Sequence, residues 1–242
     1  MKRKIHPLFL LYQLLVAYPL VLMLTLIVAL ATIVLSPLFP GHPISYFPAR
    51  WWGRAVCFLF FVKVEIEGLD KVDPKRSYVI LANHQSVFDI FVIYGWLPNL
   101  FKWIMKAELR RIPFVGKACE AAGHIFLNRA NPVATLHSIE KAERQLINGL
   151  SVVIFPEGTR THTGNIGTFK KGAFYIAADL NLPILPVSIS GAFERMPRSS
   201  FLIKPGTIRL CFHTAINVSG YLPDSTSELL KHTHAVIASE LS

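Results

Sequence analysis

Cysteine is scarce in this 242-residue sequence, which contains only Cys57, Cys119 and Cys211. These residues are far apart and odd in number, and no Cys-x-x-Cys pair or Cys/His spacing accompanies them. The sequence therefore predicts neither a disulfide framework nor a zinc site. We interpret the cysteines as small core residues in a reducing compartment, and we expect no metal site.

Several common functional motifs are also missing. No Walker loop or Gly-x-Gly-x-x-Gly loop is present, so neither a P-loop nor a dinucleotide-binding fold is predicted. Ser86 lacks the flanking glycines of a Gly-x-Ser-x-Gly elbow, which disfavours a serine-hydrolase nucleophile. No internal repeat or low-complexity stretch interrupts the chain, and we expect a single catalytic domain.

Acidic residues are few relative to basic ones. The 15 Asp and Glu residues stand against 25 Lys and Arg residues, which gives a formal charge of +10. This balance indicates an anionic partner, and nucleic acid, an anionic membrane surface, a phosphorylated substrate or an acidic carrier protein would each satisfy it. We expect no nucleic-acid binding, because the basic residues accompany no recognised binding module.

A long segment near the N-terminus has no charged residue at all, from Leu8 to Leu38. It is about twice the length of a signal-peptide apolar region, and Ser36-Pro37 is a poor cleavage site. Pro19 can kink it, and the prolines at 37, 40 and 43 are expected to end it. We therefore predict that residues 1–61 form a membrane-associated helical segment.

The path of this segment through a membrane has two interpretations. As one helix it would be about 46 Å long, against a hydrocarbon core of about 30 Å. A second apolar stretch, from Tyr46 to Val62, carries Arg50, Arg54 and adjacent tryptophans of the kind that settle among lipid headgroups. Basic residues thus flank the long segment on both sides. A helical hairpin, re-entrant or lying in one leaflet, would keep both ends on the cytoplasmic side, and a single transmembrane helix is the alternative.

Residues 62–242 are predicted to form an α/β domain with a mostly parallel central sheet flanked by helices. Strands are predicted at Val62–Glu67, Tyr78–Ala82, Phe101–Met105, His124–Leu127, Ser151–Phe155, Ile184–Ile189 and Thr207–Phe212, from alternating or continuous apolar runs. Helices are predicted at Val87–Leu97, Pro132–Asn148, Phe169–Asn181 and Ser225–Leu241.

The first motif with chemical content follows the predicted strand at Tyr78–Ala82. His84 lies in the connecting loop, and Asp89 lies in the first turn of the next helix, which Ser86 can cap. A carboxylate there can fix the imidazole tautomer while His84 accepts a proton. The spacing alone is weak support, because Asp89 would also be stabilised at the positive end of any helix.

The second motif, at residues 155–160, also follows a buried strand. Gly158 lets the backbone approach a ligand, and Arg160 offers a planar fork for phosphate. Glu157 can orient Arg160 or accept a hydrogen bond from a substrate hydroxyl. The alternative is a surface turn with an exposed ion pair. Lys106 and Arg129 each end an apolar strand candidate, from which they can reach the same sheet edge.

Four blocks in order, between about residues 64 and 191, resemble the 1-acylglycerol-3-phosphate acyltransferase family of the bacterial PlsC type. They are Asn83-His84-Gln85-Ser86-Val87-Phe88-Asp89; Lys106-Ala107-Glu108-Leu109 through Pro113-Phe114-Val115-Gly116 to Phe126-Leu127-Asn128-Arg129; Phe155-Pro156-Glu157-Gly158-Thr159-Arg160; and Pro183-Ile184-Leu185-Pro186-Val187. Asn128 departs from the acidic residue that often precedes the arginine in the second block.

The resemblance implies transfer of a fatty acyl group from acyl-CoA or acyl-carrier protein to the sn-2 hydroxyl of lysophosphatidic acid, giving phosphatidic acid for phospholipid biosynthesis. His84 would then be the general base and Asp89 its orienting partner, without a cofactor. The acceptor phosphate would be held by Lys106, Arg160 and Arg129, in a pocket formed with Glu157, Gly158 and Thr159, and Pro186 would support this pocket structurally.

The resemblance also implies partners and a location. Membrane lipids would be partners, and the enzyme would lie at the cytoplasmic face of the cell membrane. Two alternatives stay open: an acyltransferase for another acceptor (glycerol-3-phosphate, another lysophospholipid or a lyso-ornithine lipid), and a phospholipid-binding membrane protein without catalysis.

Overall fold

The structure, a computed structural model, describes residues 6–127, 149–219 and 226–241. Within these ranges, a pair of N-terminal helices is followed by an α/β domain, as the sequence predicts. The predicted helix Pro132–Asn148 and the predicted site residue Arg129 lie outside the described ranges.

The domain is built on a seven-stranded sheet with the order β1-β7-β6-β2-β5-β3-β4. The strands are β1 (Val62–Glu67), β2 (Val79–Ala82), β3 (Phe101–Lys106), β4 (Ile125–Leu127), β5 (Ser151–Ile154), β6 (Ile184–Ser190) and β7 (Gly206–Phe212). All neighbouring strands are parallel except β6 and β7, which are antiparallel. The predicted mostly parallel sheet is confirmed, and the carboxyl ends of β2, β3 and β5 lie at one edge.

Helices cover both faces of the sheet. In chain order they are α1 (Pro7–Leu38), α2 (Pro43–Leu59), α3 (Phe88–Trp96), α4 (Val115–Ala121), α5 (Gly172–Asp179), α6 (Ala192–Arg195) and α7 (Thr226–Ala238). One hydrophobic core lies on each face of the sheet, and β2 contributes to both because successive side chains of a strand point to opposite faces. Ile80 belongs to a core shared with α2 and α3, whereas Val79 and Leu81 belong to a core shared with α5 and α7.

α1 and α2 form an antiparallel hairpin. The indole N–H of Trp52 donates to the hydroxyl of Thr25 at 3.0 Å, and the hydroxyl of Tyr12 donates to the carbonyl of Leu59 at 3.0 Å. The start of α1 therefore lies beside the end of α2, so the two ends of the hairpin face the same side. The two helices therefore form a helical hairpin, and its path through a membrane stays a prediction.

α1 is the one helix, within the described ranges, that is long and apolar enough to cross a membrane. It is not fully regular, because residues Gln13–Ala17 form a π-helical turn. Its outer side exposes large aliphatic side chains, such as Leu8 at 71% and Leu15 at 67% exposure. A continuous apolar surface of this kind is typical of a face that contacts lipid or another protein.

α2 docks on the catalytic domain, which the sequence did not predict. Arg50 donates to the carbonyl of Leu97 at 2.6 Å, and Arg54 donates to the carbonyl of Gly95 at 2.8 Å. These carbonyls lie at the carboxyl end of α3, where positive charge is favourable. The two arginines therefore bind the carboxyl end of α3. Trp52 likewise packs against Phe91 of α3, with ring centres 4.8 Å apart.

Candidate active site

His84 and Asp89 are brought together at the carboxyl edge of the sheet. The Nδ1 atom of His84 lies 2.8 Å from the Oδ2 atom of Asp89, and the Asp89 side chain is fully buried. Because an ionised carboxylate only accepts hydrogen bonds, Nδ1 carries the proton and Nε2 is left as the acceptor. This is the geometry of a general base oriented by a carboxylate.

The loop before α3 holds Asp89 in place. The same Oδ2 atom accepts the backbone N–H groups of Gln85 at 2.7 Å and Ser86 at 2.8 Å. The hydroxyl of Ser86 accepts the N–H of Phe88 at 3.2 Å, but the N-cap residue of α3 is Val87, so the helix begins one residue later than predicted. The Oδ2 atom of Asp89 is thus in contact with three nitrogen atoms, which fix the position of the carboxylate.

Glu157 connects two loops rather than contacting Arg160. Its Oε1 atom accepts the backbone N–H of His84 at 2.7 Å, and its Oε2 atom accepts that of Gly167 at 2.8 Å. Glu157 is only 6% exposed, so the alternative of an exposed ion pair in a surface turn is wrong. Burial raises its pKa above the usual value, although the backbone N–H groups of His84 and Gly167 favour the charged form.

One further contact packs on the imidazole and another holds the residue before it, and sequence reasoning missed both. The ring of Phe155 stacks on His84 with centres 3.9 Å apart and planes 5° apart. Asn83, just before the histidine, exchanges two hydrogen bonds of 2.8 Å with the backbone of Ile189 on β6. Phe155 follows β5, and Asn83 follows β2. The sequence could not assign a role to either residue, because their contacts depend on which strands are neighbours in the sheet.

Two of the predicted phosphate ligands, Lys106 and Arg160, lie on one cavity with His84. Lys106, at the carboxyl end of β3, and Gly158, Thr159 and Arg160, after β5, line a cavity of about 950 Å³ that also includes His84. Gly158 has a φ of +72°, in a turn closed by its N–H to the carbonyl of Phe155 at 2.9 Å. Among the described residues, no side chain pairs with the Lys106 ammonium or the Arg160 guanidinium, so both are available to an anion.

Arg198 is a further cation at this cavity, and the sequence analysis did not identify it. Its guanidinium donates to the hydroxyl of Thr159 at 2.8 Å and to the carbonyl of Arg160 at 3.2 Å. It also lines the cavity. Arg198 lies in an irregular segment after β6 and α6, where no local sequence pattern marks it as a site residue.

The cavity continues away from the catalytic edge between the hairpin, α4 and β3. Its lining in this direction is largely apolar and includes Val28, Ala29, Trp52, Ile90 and Ile104. A cavity that is charged near His84 and apolar farther in matches an amphipathic ligand with an anionic group.

The structure also places Glu67, Cys211 and Glu240 together, with potential ligand atoms within 4.8 Å of one another. Glu67 already pairs with Arg209 at 3.0 Å on the surface of β1 and β7. These residues belong to the opposite side of the sheet order from β3 and do not line the cavity with His84. Exposed acidic groups of this kind are common without a metal, and we assign no metal role to them.

The chain is similar to known acyltransferases in both sequence and structure. A family model described as Acyltransferase matches residues 63–190. The 1-acyl-sn-glycerol-3-phosphate acyltransferase of Pseudomonas aeruginosa is 30% identical over 213 residues, which cover 86% of this chain and 82% of that protein. The crystal structure of PlsC from Thermotoga maritima, a 1-acyl-sn-glycerophosphate acyltransferase, matches with a TM-score of 0.73 and 27% identity, covering 91% of this chain and 92% of the other.

Plant relatives are similar in sequence but longer. The chloroplastic 1-acyl-sn-glycerol-3-phosphate acyltransferase LPAT1 of Arabidopsis thaliana is 32% identical over 202 residues, which are 78% of this chain. The chain spans 56% of the length of that protein and 61% of the length of the Cocos nucifera relative.

Proposed function

This chain belongs to the acyltransferase family, and from that premise we propose that it acylates lysophosphatidic acid at the sn-2 hydroxyl. The product is phosphatidic acid, and the acyl donor is acyl-CoA or acyl-carrier protein. The observation that carries the proposal is the hydrogen bond from His84 to Asp89 on the same cavity as Lys106 and Arg160. The names of the bacterial and plant relatives support the choice of acceptor.

The residues of this chain account for each proton movement in the proposed reaction. Nε2 of His84 accepts the proton of the acceptor hydroxyl as its oxygen attacks the thioester carbonyl. Asp89 stabilises the imidazolium that forms. The imidazolium then protonates the departing thiolate, which leaves as the thiol. A thioester is already activated, so the reaction needs neither a covalent enzyme intermediate nor a cofactor, and base catalysis supplies about 10²–10⁴-fold.

Positioning supplies the remaining acceleration. Lys106 and Arg160 bind the acceptor phosphate, and the side chain of Thr159 and the backbone at Gly158 complete this part of the cavity. Arg129 stays a predicted phosphate ligand, since it lies outside the described residues. Glu157 acts through the backbone of His84 and not on the substrate.

We further propose that the hairpin attaches the enzyme to the cytoplasmic face of the cell membrane. Its two ends face the same side, which agrees with the basic residues Lys2, Arg3 and Lys4 that precede α1 in the sequence. The exposed leucines of α1 contact the acyl chains of one leaflet, and the acceptor lipid reaches the cavity from the same leaflet.

An in vitro transfer assay with product mass analysis tests the reaction. Purified enzyme in detergent micelles is offered lysophosphatidic acid, glycerol-3-phosphate, another lysophospholipid or a lyso-ornithine lipid, each with acyl-CoA and with acyl-carrier protein. We expect phosphatidic acid as the main product. No preference for lysophosphatidic acid would overturn the acceptor assignment.

The His84→Ala variant separates catalysis from lipid binding. We expect near-complete loss of transfer with membrane association unchanged, because His84 contributes to the cavity and not to the hairpin. A phospholipid-binding protein without catalysis would keep its activity in cells after this substitution.

The phosphate ligands have their own test. Lys106→Met and Arg160→Gln each remove a cation, and we expect the KM for lysophosphatidic acid to rise about 10-fold or more for each. Lys117→Met is the matched control, because Lys117 is exposed on α4 and does not line the cavity. The same rise in the control would contradict the assignment.

A further inference from the structure

The loop between α6 and β7, residues 195–205, contacts both α1 and the active site. α6 ends at Arg195, and β7 begins at Gly206. The two ends of the loop are held together, because the N–H of Lys204 donates to the carbonyl of Arg195 at 2.8 Å. Compact loops closed in this way are frequently functional. The 195–205 loop therefore forms one unit with a contact surface on each side.

On one side, α1 holds the 195–205 loop through a buried amide. The Nε2 atom of Gln13 donates to the carbonyl of Ile203 at 2.8 Å, and its Oε1 atom accepts the N–H of Ile203 at 3.0 Å. Gln13 is fully buried and lies in the π-helical turn of α1, a feature that is frequent at functional sites. The hydroxyl of Tyr18 donates to the carbonyl of Phe201. Three hydrogen bonds therefore fix the loop to α1.

On its other side, the same loop contacts the active site at two points. The hydroxyl of Ser86, two residues after the catalytic histidine, donates to the carbonyl of Met196 at 2.7 Å. The guanidinium of Arg198 donates to the hydroxyl of Thr159 at 2.8 Å and to the carbonyl of Arg160 at 3.2 Å. The loop thus holds the turn at residues 158–160, which is part of the proposed binding site for the acceptor phosphate.

This turn lies close to the catalytic base. The N–H of Thr161, the residue after Arg160, donates to the carbonyl of His84 at 2.9 Å. In lysophosphatidic acid, only two carbon atoms and an ester oxygen lie between the sn-2 oxygen and the phosphorus atom. When the sn-2 hydroxyl is at His84, the phosphate therefore lies near the turn at residues 158–160. A displacement of the turn changes phosphate binding without moving the catalytic pair.

We propose that Gln13 is a positioning residue for the acceptor phosphate, which acts through the 195–205 loop and Arg198 on the turn at residues 158–160. In this arrangement α1 has two roles, because the helix that contacts lipid also fixes a phosphate-binding turn of the active site. The inference rests on the proposed function, since the turn is taken to bind the phosphate of lysophosphatidic acid. The hydrogen bonds that connect α1 to the turn do not depend on that assignment.

Steady-state kinetics of the full-length enzyme in detergent micelles, with varied lysophosphatidic acid, test the inference. Gln13→Leu removes both hydrogen bonds to Ile203, and we expect it to raise the KM for lysophosphatidic acid about 3-fold or more, with little change in kcat. Arg198→Gln removes the contact with the turn and is expected to raise this KM about 10-fold. Tyr12→Phe is the matched control, because the Tyr12 hydroxyl binds the carbonyl of Leu59 in α2 and not the loop.

The double variant Gln13→Leu/Arg198→Gln separates one connected path from two independent effects. If Gln13 acts through Arg198, the double variant has the KM of Arg198→Gln alone, because the contact with the turn is already lost. A KM raised by the product of the two single effects would overturn the inference, and so would an unchanged KM in Gln13→Leu. Where Gln13→Leu does not fold, Tyr18→Phe takes its place, since it removes only one hydroxyl, and a smaller rise in KM is expected.

Amide hydrogen exchange in micelles tests the connection without the reaction. In Gln13→Leu and in Arg198→Gln, the amides of residues 158–162 are expected to exchange about 3-fold or more faster than in wild type. Those of α7, on the opposite face of the sheet, are expected to keep their wild-type rates. Unchanged exchange at residues 158–162 would overturn the inference. Faster exchange there, with no transfer to lysophosphatidic acid by wild type, would support the connection and overturn the proposed function instead.

Discussion

The backbone N–H of His84 donates to the Oε1 atom of Glu157 at 2.7 Å, so the catalytic loop after β2 is held by the loop after β5. The second carboxylate oxygen accepts the N–H of Gly167, where a Cβ atom would lie only 2.7 Å from Oε2. Gly167 therefore allows the approach. The position of the His84 backbone depends on a carboxylate 73 residues away in the sequence.

Glu157→Gln is predicted to lower kcat with little change in the KM for lysophosphatidic acid. An amide can accept only one of the two N–H groups and turns a donor toward the other, which costs about 1–3 kcal/mol. Steady-state kinetics with varied acceptor separates kcat from KM, and thermal unfolding reports the loss of stability. Glu228→Gln, an exposed change on α7, is the control. A rise in KM alone would instead assign Glu157 to substrate binding.

Asp89→Asn is predicted to lower kcat by about 10²–10⁴-fold while the protein stays folded. The amide oxygen can still accept the N–H groups of Gln85 and Ser86, but it no longer stabilises an imidazolium at His84. The measurement is kcat for transfer at saturating lysophosphatidic acid, with circular dichroism as the control for folding. Activity within a few-fold of wild type would remove Asp89 from the mechanism.

The contacts explain how far the sequence could predict this site. The strands and the His84–Asp89 pair were predictable because they depend on local patterns: continuous apolar runs and a carboxylate in the first helical turn. The roles of Glu157 and Phe155 were not, because they depend on β2 and β5 being neighbours, which no local pattern determines. Arg198 was not predicted either, because its contacts with Thr159 and Arg160 depend on the tertiary fold and not on a local sequence pattern.

In the N-terminal region, too, one feature was predictable from the sequence and another was not. Its apolar character was predictable from composition, whereas the docking of α2 on α3 was not. Gly53 permits this docking, because a Cβ atom there would meet the carbonyl of Phe91 at 2.4 Å. Arginines in an apolar segment favour an interpretation as headgroup ligands, yet here they bind the carbonyls at the end of a neighbouring helix.

His124 is predicted to make the protein sensitive to acid. It is buried, its Nδ1 accepts the N–H of Trp103 at 3.2 Å, and burial, with a smaller effect of the Lys102 charge, lowers its pKa to about 3. The unfolded chain binds a proton near pH 6.5, so stability is lost as the pH falls from about 6.5 toward 3, by about 1.4 kcal/mol per unit.

Denaturant unfolding in detergent at pH 7 and pH 5 measures this effect. Between these values, wild type is expected to lose roughly 2 kcal/mol more than His124→Gln, which cannot be protonated. His162→Gln, which removes an exposed histidine, is expected to behave as wild type. Equal losses in wild type and His124→Gln would show that His124 is not the group responsible.

Phe201 is predicted to contact the bilayer beside the hairpin. Its side chain is 85% exposed, although its backbone carbonyl accepts a hydrogen bond from the hydroxyl of Tyr18 on α1. The neighbouring Ile203 exchanges hydrogen bonds of 2.8 Å and 3.0 Å with the buried side chain of Gln13 in the π-helical turn. This segment is thus fixed to the apolar helix, and we expect its exposed aromatic ring to extend the apolar surface of α1.

We therefore expect Phe201→Ser to slow the acylation of lysophosphatidic acid in anionic phospholipid vesicles on the order of 10-fold, since burying a phenylalanine side chain contributes about 1.5–3 kcal/mol. In detergent micelles, which impose no bilayer plane, the rate should stay close to wild type. Tyr175→Ser is the control, because Tyr175 is 51% exposed on α5, at the opposite face of the sheet. Equal effects of the two substitutions in vesicles would show that Phe201 does not contact the bilayer. The orientation of the cavity toward the membrane would then depend on the hairpin alone.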